Sequence, residues 1–137
     1  MNKHQRGTVS ELLSASYFVK EDYVVSKPIT DFNEYDLVID NGVLMRVQVK
    51  TIYWDTNKKR YLVSCVTSHI RGNGNRYNKK YNEESFEWLC AVEQETNSIY
   101  VVPIHRVLGR RSITFYPKGK PKTVNSRYED FEDCKVQ

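Results

Sequence analysis

At 137 residues the chain is long enough for one domain with a proper core and too short for two ordinary ones. A hydrophobic share of 39% against 28% charged residues fits a soluble globule, and no apolar run approaches the ~20 residues of a membrane span. The net charge is only +4, and the polar N-terminus lacks the apolar stretch of a secretory signal, so an intracellular location is expected.

The first predicted element is a helix from about Gly7, or a turn earlier, to about Lys20. Thr8-Val9-Ser10-Glu11 fits the capping-box pattern, and Val9, Leu12, Leu13 and Tyr17 recur at helical spacing. Glu11 then has two readings. It is a capping glutamate reaching back to Thr8, or an acid aimed across to a following sheet, where it would hold water or a metal ion. Tyr23 to Pro28 reads as a short strand ended by its proline. Asp31 to Glu34 reads as a polar loop with solvated carboxylates.

Tyr35 to Asp40 and Val43 to Thr51 read as two β-branched strands joined at Asn41-Gly42, the strongest short-range hairpin signal. Alternate side chains share a face, so Arg46, Gln48 and Lys50 form a polar row and Met45, Val47 and Val49 a core row. A strict two-residue loop would set Asp36 opposite Val47 on the apolar face. A three-residue loop of Asp40, Asn41 and a left-handed Gly42 pairs Ile39 with Val43 and sets Asp36 opposite Arg46, facing Gln48 and Lys50. A polar row ending in lysine beside an aspartate is what metal-assisted phosphodiester chemistry needs. The carboxylate binds a hard cation, and the ammonium positions water or offsets charge on the phosphate. On this reading the bulged turn is the expected one.

Beyond Thr51, Tyr53-Trp54 extend the third strand or pack beneath the next. Asp55 to Arg60 is a hairpin loop whose Lys58 and Lys59 can touch a phosphate backbone or remain a solvated turn. Tyr61 to Thr67 is a mostly buried strand. Ser68 to Asn82 changes character and reads as a mobile basic loop, with His69, Arg71, Asn73, Asn75, Arg76, Tyr77, Lys79 and Lys80 as candidate DNA contacts. Cations interleaved with tyrosines suit phosphate contacts and stacking. Phe86 to Val92 and Ser98 to Pro103 read as paired central strands. A short helix or turn at Pro103 to Leu108, a last strand at Ser112 to Tyr116, a basic segment at Pro117 to Val124 and a helical turn at Arg127 to Phe131 complete the chain. Cys65, Cys90 and Cys134 lack disulfide or zinc spacing, and the first two sit in apolar strands as buried thiols.

Charge is distributed in blocks. Residues 71–82 and 105–127 hold bases without an acid, and residues 83–104 hold acids without a lysine or arginine. This suggests a polyanion touched at several points; the plainer reading of any single lysine is solubility. The elements sum to an α+β domain, an N-terminal helix followed by a mixed sheet of about six or seven strands with minor helices.

Asp36, then Gln48-Val49-Lys50, with Glu11 on a preceding helix and a later Tyr100-Val101-Val102-Pro103-Ile104 segment, resembles the PD-(D/E)XK nuclease superfamily. The likeness is to the small branch with a cyanobacterial intron-encoded homing endonuclease and resolvase-like proteins, and it covers roughly residues 7 to 131. It implies a restriction-endonuclease-like core and Mg²⁺-dependent hydrolysis of DNA, with Mn²⁺ able to substitute. Asp36, the Val49 carbonyl and Glu11 would hold the metal, and Gln48 and Lys50 would complete the catalytic set. Gln48 departs from the Glu or Asp usual there, a neutral amide being a poorer ligand for a hard cation, though the homing branch tolerates it. The implied partner is double-stranded or branched DNA, cut by a dimer or tetramer because two strands need two sites. Three roles stay open: a site-specific homing enzyme, a Holliday-junction resolvase, and a catalytically weak DNA-binding module on the same fold.

Overall fold

The computed structural model describes residues 1–31, 33–70, 72–122 and 129–137, with backbone alone at 68–70 and 76–78. Helix α1 (Lys3–Lys20) begins a turn before Gly7 because Asn2 and Gln5 form the capping box, not Thr8 and Glu11. The Asn2 side chain accepts the Gln5 N–H at 2.9 Å, and Gln5 Oε1 accepts the Asn2 N–H at 2.8 Å. Thr8 turns its hydroxyl to the carbonyl of His4 instead. Glu11 is therefore free of capping duty and available to the sheet.

The buried stripe of α1 is Ser10, Ser14 and Phe18. The apolar set Val9, Leu12, Leu13 and Tyr17 flanks it, and Leu12 is 65% exposed. Two serines at the contact let the helix approach the sheet closely, and their hydroxyls are satisfied. Ser10 Oγ lies 2.6 Å from Thr51 Oγ1, and Ser14 Oγ accepts from Cys90 Sγ at 3.2 Å.

That sheet has five strands in the order β1 (Val24–Ser26), β2 (Leu37–Asp40), β3 (Leu44–Thr51), β8 (Trp88–Glu93), β9 (Ser98–Pro103). All neighbours are antiparallel except β3 and β8. The parallel strand β8 is buried on both faces, as its unbroken Leu89-Cys90-Ala91-Val92 run requires. Cys90 and Val92 join Phe18, Leu37, Ile39, Val47, Val49 and Ile99 under α1. Leu89 and Ala91 face a second core with Ile52, Val63, Phe86, Tyr100, Ile113, Phe115 and Phe131. β8 is thus central as expected, while β9 is the last strand of the sheet. On its outer side Tyr100 forms an antiparallel bridge with Lys135.

The second core is closed by a three-stranded sheet in the order β10 (Ser112–Phe115), β5 (Arg60–Ser64), β4 (Tyr53–Asp55). Tyr53 and Trp54 therefore neither extend β3 nor lie beneath the next strand. The chain pivots at buried Ile52 and starts a new sheet. The segment read as a mobile loop is also corrected, since β6 (Val66–Ile70) and β7 (Arg76–Lys80) pair as an antiparallel ribbon from Val66 with Lys80 to Ile70 with Arg76. Single-turn 3-10 helices follow at Ile104–Arg106 and Glu132–Cys134. The helical turn expected from Arg127 begins in residues outside those described; the observed turn starts after Phe131, whose ring is buried. All three cysteines are free and buried, and burial pushes the Cys65 thiol up to about 11. Among the described residues no helix is long and apolar enough to cross a membrane.

Candidate active site

The hairpin turn decides which residues meet. β2 and β3 pair Asp40 with Leu44, Ile39 with Met45, Val38 with Arg46 and Leu37 with Val47. The loop has three residues, but they are Asn41, Gly42 and Val43. The Asp40 side chain accepts the Gly42 N–H at 2.8 Å, and Gly42 takes φ +112°, which holds Asp40 in the ladder. The expected pairs of Ile39 with Val43 and Asp36 with Arg46 are thus displaced by two residues. An even displacement leaves every side chain on its expected face.

The displacement opens the site. β2 starts opposite Val47, so residues 48–51 of β3 run on past it. Asp36 fills the step: its N–H donates to the Val47 carbonyl at 2.8 Å, and its Oδ2 accepts the Val49 N–H at 2.8 Å. Glu11, Asp36, Gln48, Val49 and Lys50 line one cavity of about 1200 Å³ here, between α1 and the C-terminal half of β3. Gln48 Nε2 donates a long 3.3 Å bond to the carbonyl of Val49.

The electrostatics of the cavity set an acid against a base. Burial pushes the Asp36 carboxyl above its ordinary range; the Val49 N–H pulls it back, Glu11 pushes it further, and Lys50 and Lys27 offset part of this. Burial also pulls the Lys50 ammonium below its ordinary range, against the attraction of Asp36. Its Nζ stands 6.0 Å over the Tyr81 ring. Glu11 Oε2 is held by Lys27 Nζ at 2.5 Å, with Glu11 24% and Lys27 64% exposed. Opposed perturbations of an acid and a base in one cleft mark a functional site more often than a structural one.

A family model described as PD-(D/E)XK endonuclease matches residues 1–132. The chain belongs to the PD-(D/E)XK endonuclease family. Among solved structures, the bacterial homing endonuclease I-Ssp6803I shares the fold, with a TM-score of 0.79 and 22% identity over 92% of this chain and 84% of that one. MepB also matches, at a TM-score of 0.49 and 19% identity over 93% of this chain and 88% of that one. No curated protein sequence matches the chain. The α+β arrangement of one N-terminal helix on a mixed sheet is thus the restriction-endonuclease-like core.

PD-(D/E)XK nucleases generally use divalent metals, and the donors here fit one. Asp36, Glu11 and the Val49 carbonyl are hard oxygen donors around one cavity. Among the described residues no three His, Cys, Asp or Glu side chains gather into a closed cage. A hard divalent cation that keeps several of its waters and takes only one or two carboxylates suits such a sparse set. Asp36 also carries a charge that burial and Glu11 both disfavour, and a cation would relieve both.

Other members of this chain's expected set lie elsewhere. Arg46 keeps its face but does not line this cavity: its Nε donates to Glu87 Oε2 at 2.9 Å and its Nη1 to the Glu84 carbonyl at 2.6 Å. Lys58 and Lys59 are exposed at the tip of the β4–β5 turn. Asn73 and Asn75 are exposed in the β6–β7 turn, where the Asn75 N–H donates to Asn73 Oδ1 at 3.0 Å. Lys79 and Lys80 are exposed neighbours on β7, and Lys80 Nζ donates to the Gly109 carbonyl at 3.2 Å. Arg71 and the side chains of His69, Arg76 and Tyr77 lie outside the described residues. Sequence reasoning missed Lys27, Tyr81 and the anchor of α1, in which Gln94 Nε2 donates to Ser10 Oγ at 2.9 Å and to the Arg6 carbonyl at 2.8 Å. None of the three stands in a recognisable spacing with Asp36, so no sequence signal was present to find them.

Proposed function

We propose that this chain is a divalent-metal-dependent endodeoxyribonuclease that hydrolyses DNA phosphodiester bonds, of the site-specific homing type. The observation that carries the reading is the step in the hairpin, where Glu11, Asp36, the Val49 carbonyl and Lys50, spread over 40 positions of sequence, line one cavity. Asp36, Glu11 and Val49 would hold Mg²⁺, or Mn²⁺ in its place. The bound ion would supply Lewis-acid polarisation of the phosphate and neutralise charge on the departing oxygen.

The protein's own groups do the positioning. Asp36 is fixed by the Val49 N–H, so one carboxylate oxygen is committed to the backbone and the other is left for the site. Lys50, desolvated beside Asp36, orients the attacking water and offsets charge on the phosphate. Gln48 keeps the second ligand position neutral and supports the water or the ion through its amide. Glu11 answers to Lys27 until substrate or cation arrives. Exposed Lys58, Lys59, Lys79 and Lys80, with Asn73 and Asn75 in the ribbon turn and His69, Arg71, Arg76 and Tyr77 nearby in sequence, would follow the DNA backbone and read a groove. Cutting both strands calls for a homodimer or tetramer.

The fold shared with a homing endonuclease favours a sequence-specific target. Gln48 favours a second reading, a DNA-binding module with weak cleavage. Strand cleavage of supercoiled plasmid, genomic fragments and a four-way junction, with Mg²⁺ and with chelator, tests the proposal. Metal-dependent cutting of a defined duplex site supports it, and preference for the junction moves it to a resolvase. Tight metal-independent binding without cleavage of any substrate overturns the enzyme reading.

A further inference from the structure

The cavity that holds Asp36 and Lys50 extends beyond what a scissile phosphate and a cation would fill. Its wall continues along β4 and β5 through Tyr53, Trp54, Tyr61 and Ser64, and Lys118 also lines it. Trp54 is 49% exposed, so a large aromatic side chain stands half in water at this wall. An indole buried in a core would gain on the order of 2 kcal/mol or more from its apolar surface, so leaving it wet in a groove is costly unless something covers it.

Trp54 is not loosely placed. Its ring packs edge-on against Tyr61, its partner across the β4–β5 ladder, with centroids 4.9 Å apart and planes at 63°. Tyr61 is in turn anchored on the second core. Lys118 Nζ lies 5.8 Å above the Tyr61 ring and 3.2 Å from Glu95 Oε2, a cation held at the same rim. Trp54 is four positions along the chain from Lys50, a span of at most ~14 Å, so a group on Trp54 would be a near neighbour of one at Lys50.

We propose that Trp54, backed by Tyr61 and flanked by Lys118, is a stacking site for an unstacked nucleobase neighbouring the phosphate held at Asp36 and Lys50. The inference rests on the nuclease reading and adds the form of substrate taken. A flat π face and an adjacent cation suit a base and its phosphate, and base–aromatic stacking is tolerant of which base is present. A fully stacked duplex offers no interior base face. The base must either be drawn out of an intact duplex or be already unpaired.

The test is tryptophan fluorescence titration of the full chain in chelator, which prevents cleavage. The probes are an oligothymidine of about ten nucleotides, an abasic oligomer of the same length, a blunt duplex, and that duplex with one unpaired base. Trp88, whose Nε1 donates to Met45 Sδ, remains as an internal reference in Trp54→Phe. The oligothymidine should quench Trp54, Trp54→Ala should weaken its binding by about tenfold or more, and Trp54→Phe should restore most of it. The abasic oligomer should bind Trp54→Ala and wild type alike. Loss of affinity for the blunt duplex in Trp54→Ala would mean that the base is extracted. Loss confined to the duplex with an unpaired base would mean that the site takes bases already free; both outcomes uphold the site. Unchanged oligothymidine binding in Trp54→Ala, or equal quenching by the abasic oligomer, overturns it while leaving the nuclease reading in place. Absence of any DNA binding by wild type overturns both.

Discussion

Replacing Asp36 by asparagine should make the protein more stable and inert. The sign follows from the environment of the carboxylate. Burial and the charge of Glu11 disfavour its ionised form, while the Val49 N–H, Lys50 and Lys27 favour it, and the balance leaves its pKa raised. A raised folded pKa means that the ionised group opposes folding at neutral pH. That penalty is absent below the ordinary carboxyl range, grows as pH rises through the folded pKa, and is complete above it. Asparagine keeps the shape, and its amide oxygen can still accept the Val49 N–H, a neutral bond in place of a charge-assisted one at 2.8 Å. The gain at pH 7 should be about 1 kcal/mol, the scale on which active-site charges commonly trade stability for function. In a domain of this size that is about 3 to 5 °C in Tm. Thermal and urea unfolding in chelator at pH 8, 7, 5 and about 4 would measure it. The stabilisation should shrink toward zero at the acid end, while cleavage in Mg²⁺ falls by about 10²-fold or more. A destabilisation of about 1 kcal/mol at neutral pH would refute the reasoning and make Asp36 a structural cap for the β3 edge.

Other outcomes follow from the same geometry. Ser10→Ala removes the partner of Thr51 Oγ1 and Gln94 Nε2 and should cost about 1 to 2 kcal/mol in urea unfolding, together with a loss of cleavage as α1 and Glu11 shift. Glu93 is buried, which pushes its pKa up, but hydrogen bonds from Thr96 Oγ1 and from the Thr96 and Glu95 N–H groups outweigh burial and hold it below the ordinary range. Its contribution is therefore present above the ordinary carboxyl range and lost as pH falls through the lower folded pKa. Glu93→Gln should lower Tm at pH 7 and match wild type in strong acid. Replacing Lys58, Lys59, Lys79 and Lys80 together by alanine should weaken binding to all duplexes alike and lower the slope of log affinity against log salt by up to about 4.

Much of the candidate site's arrangement was legible because strand alternation is robust. Gln48 and Lys50 had to share a face, and Asp36 had to join them in any register shifted by an even number of residues. The turn itself was read one residue early, since Asn-Gly signals a hairpin without saying whether the Asp40 side chain will hold that residue in the ladder. The buried face of α1 was misread for a different reason. Ser10 and Ser14 look polar in a hydrophobicity pattern, yet small residues at a helix–sheet contact can bury fully once their hydroxyls are paired. The ribbon of β6 and β7 was concealed by composition. Glycine, asparagine and lysine argue against strands, and pairing of the backbone overrode that propensity. Long-range partners such as Lys27 with Glu11 are set by the fold alone and have no local signal.

Lys50 offers the most direct test of the hydrolytic claim. Lys50→Ala removes a half-buried ammonium near Asp36 without touching the exposed Lys58, Lys59, Lys79 and Lys80. Initial cleavage rates in Mg²⁺ should be measured for wild type and Lys50→Ala on the substrate that wild type cuts, at protein concentrations giving equal DNA occupancy. A rate reduced by about 10²-fold or more at matched occupancy is the expected result. Equal rates at matched occupancy would contradict the account and move the chemistry away from the step between β2 and β3.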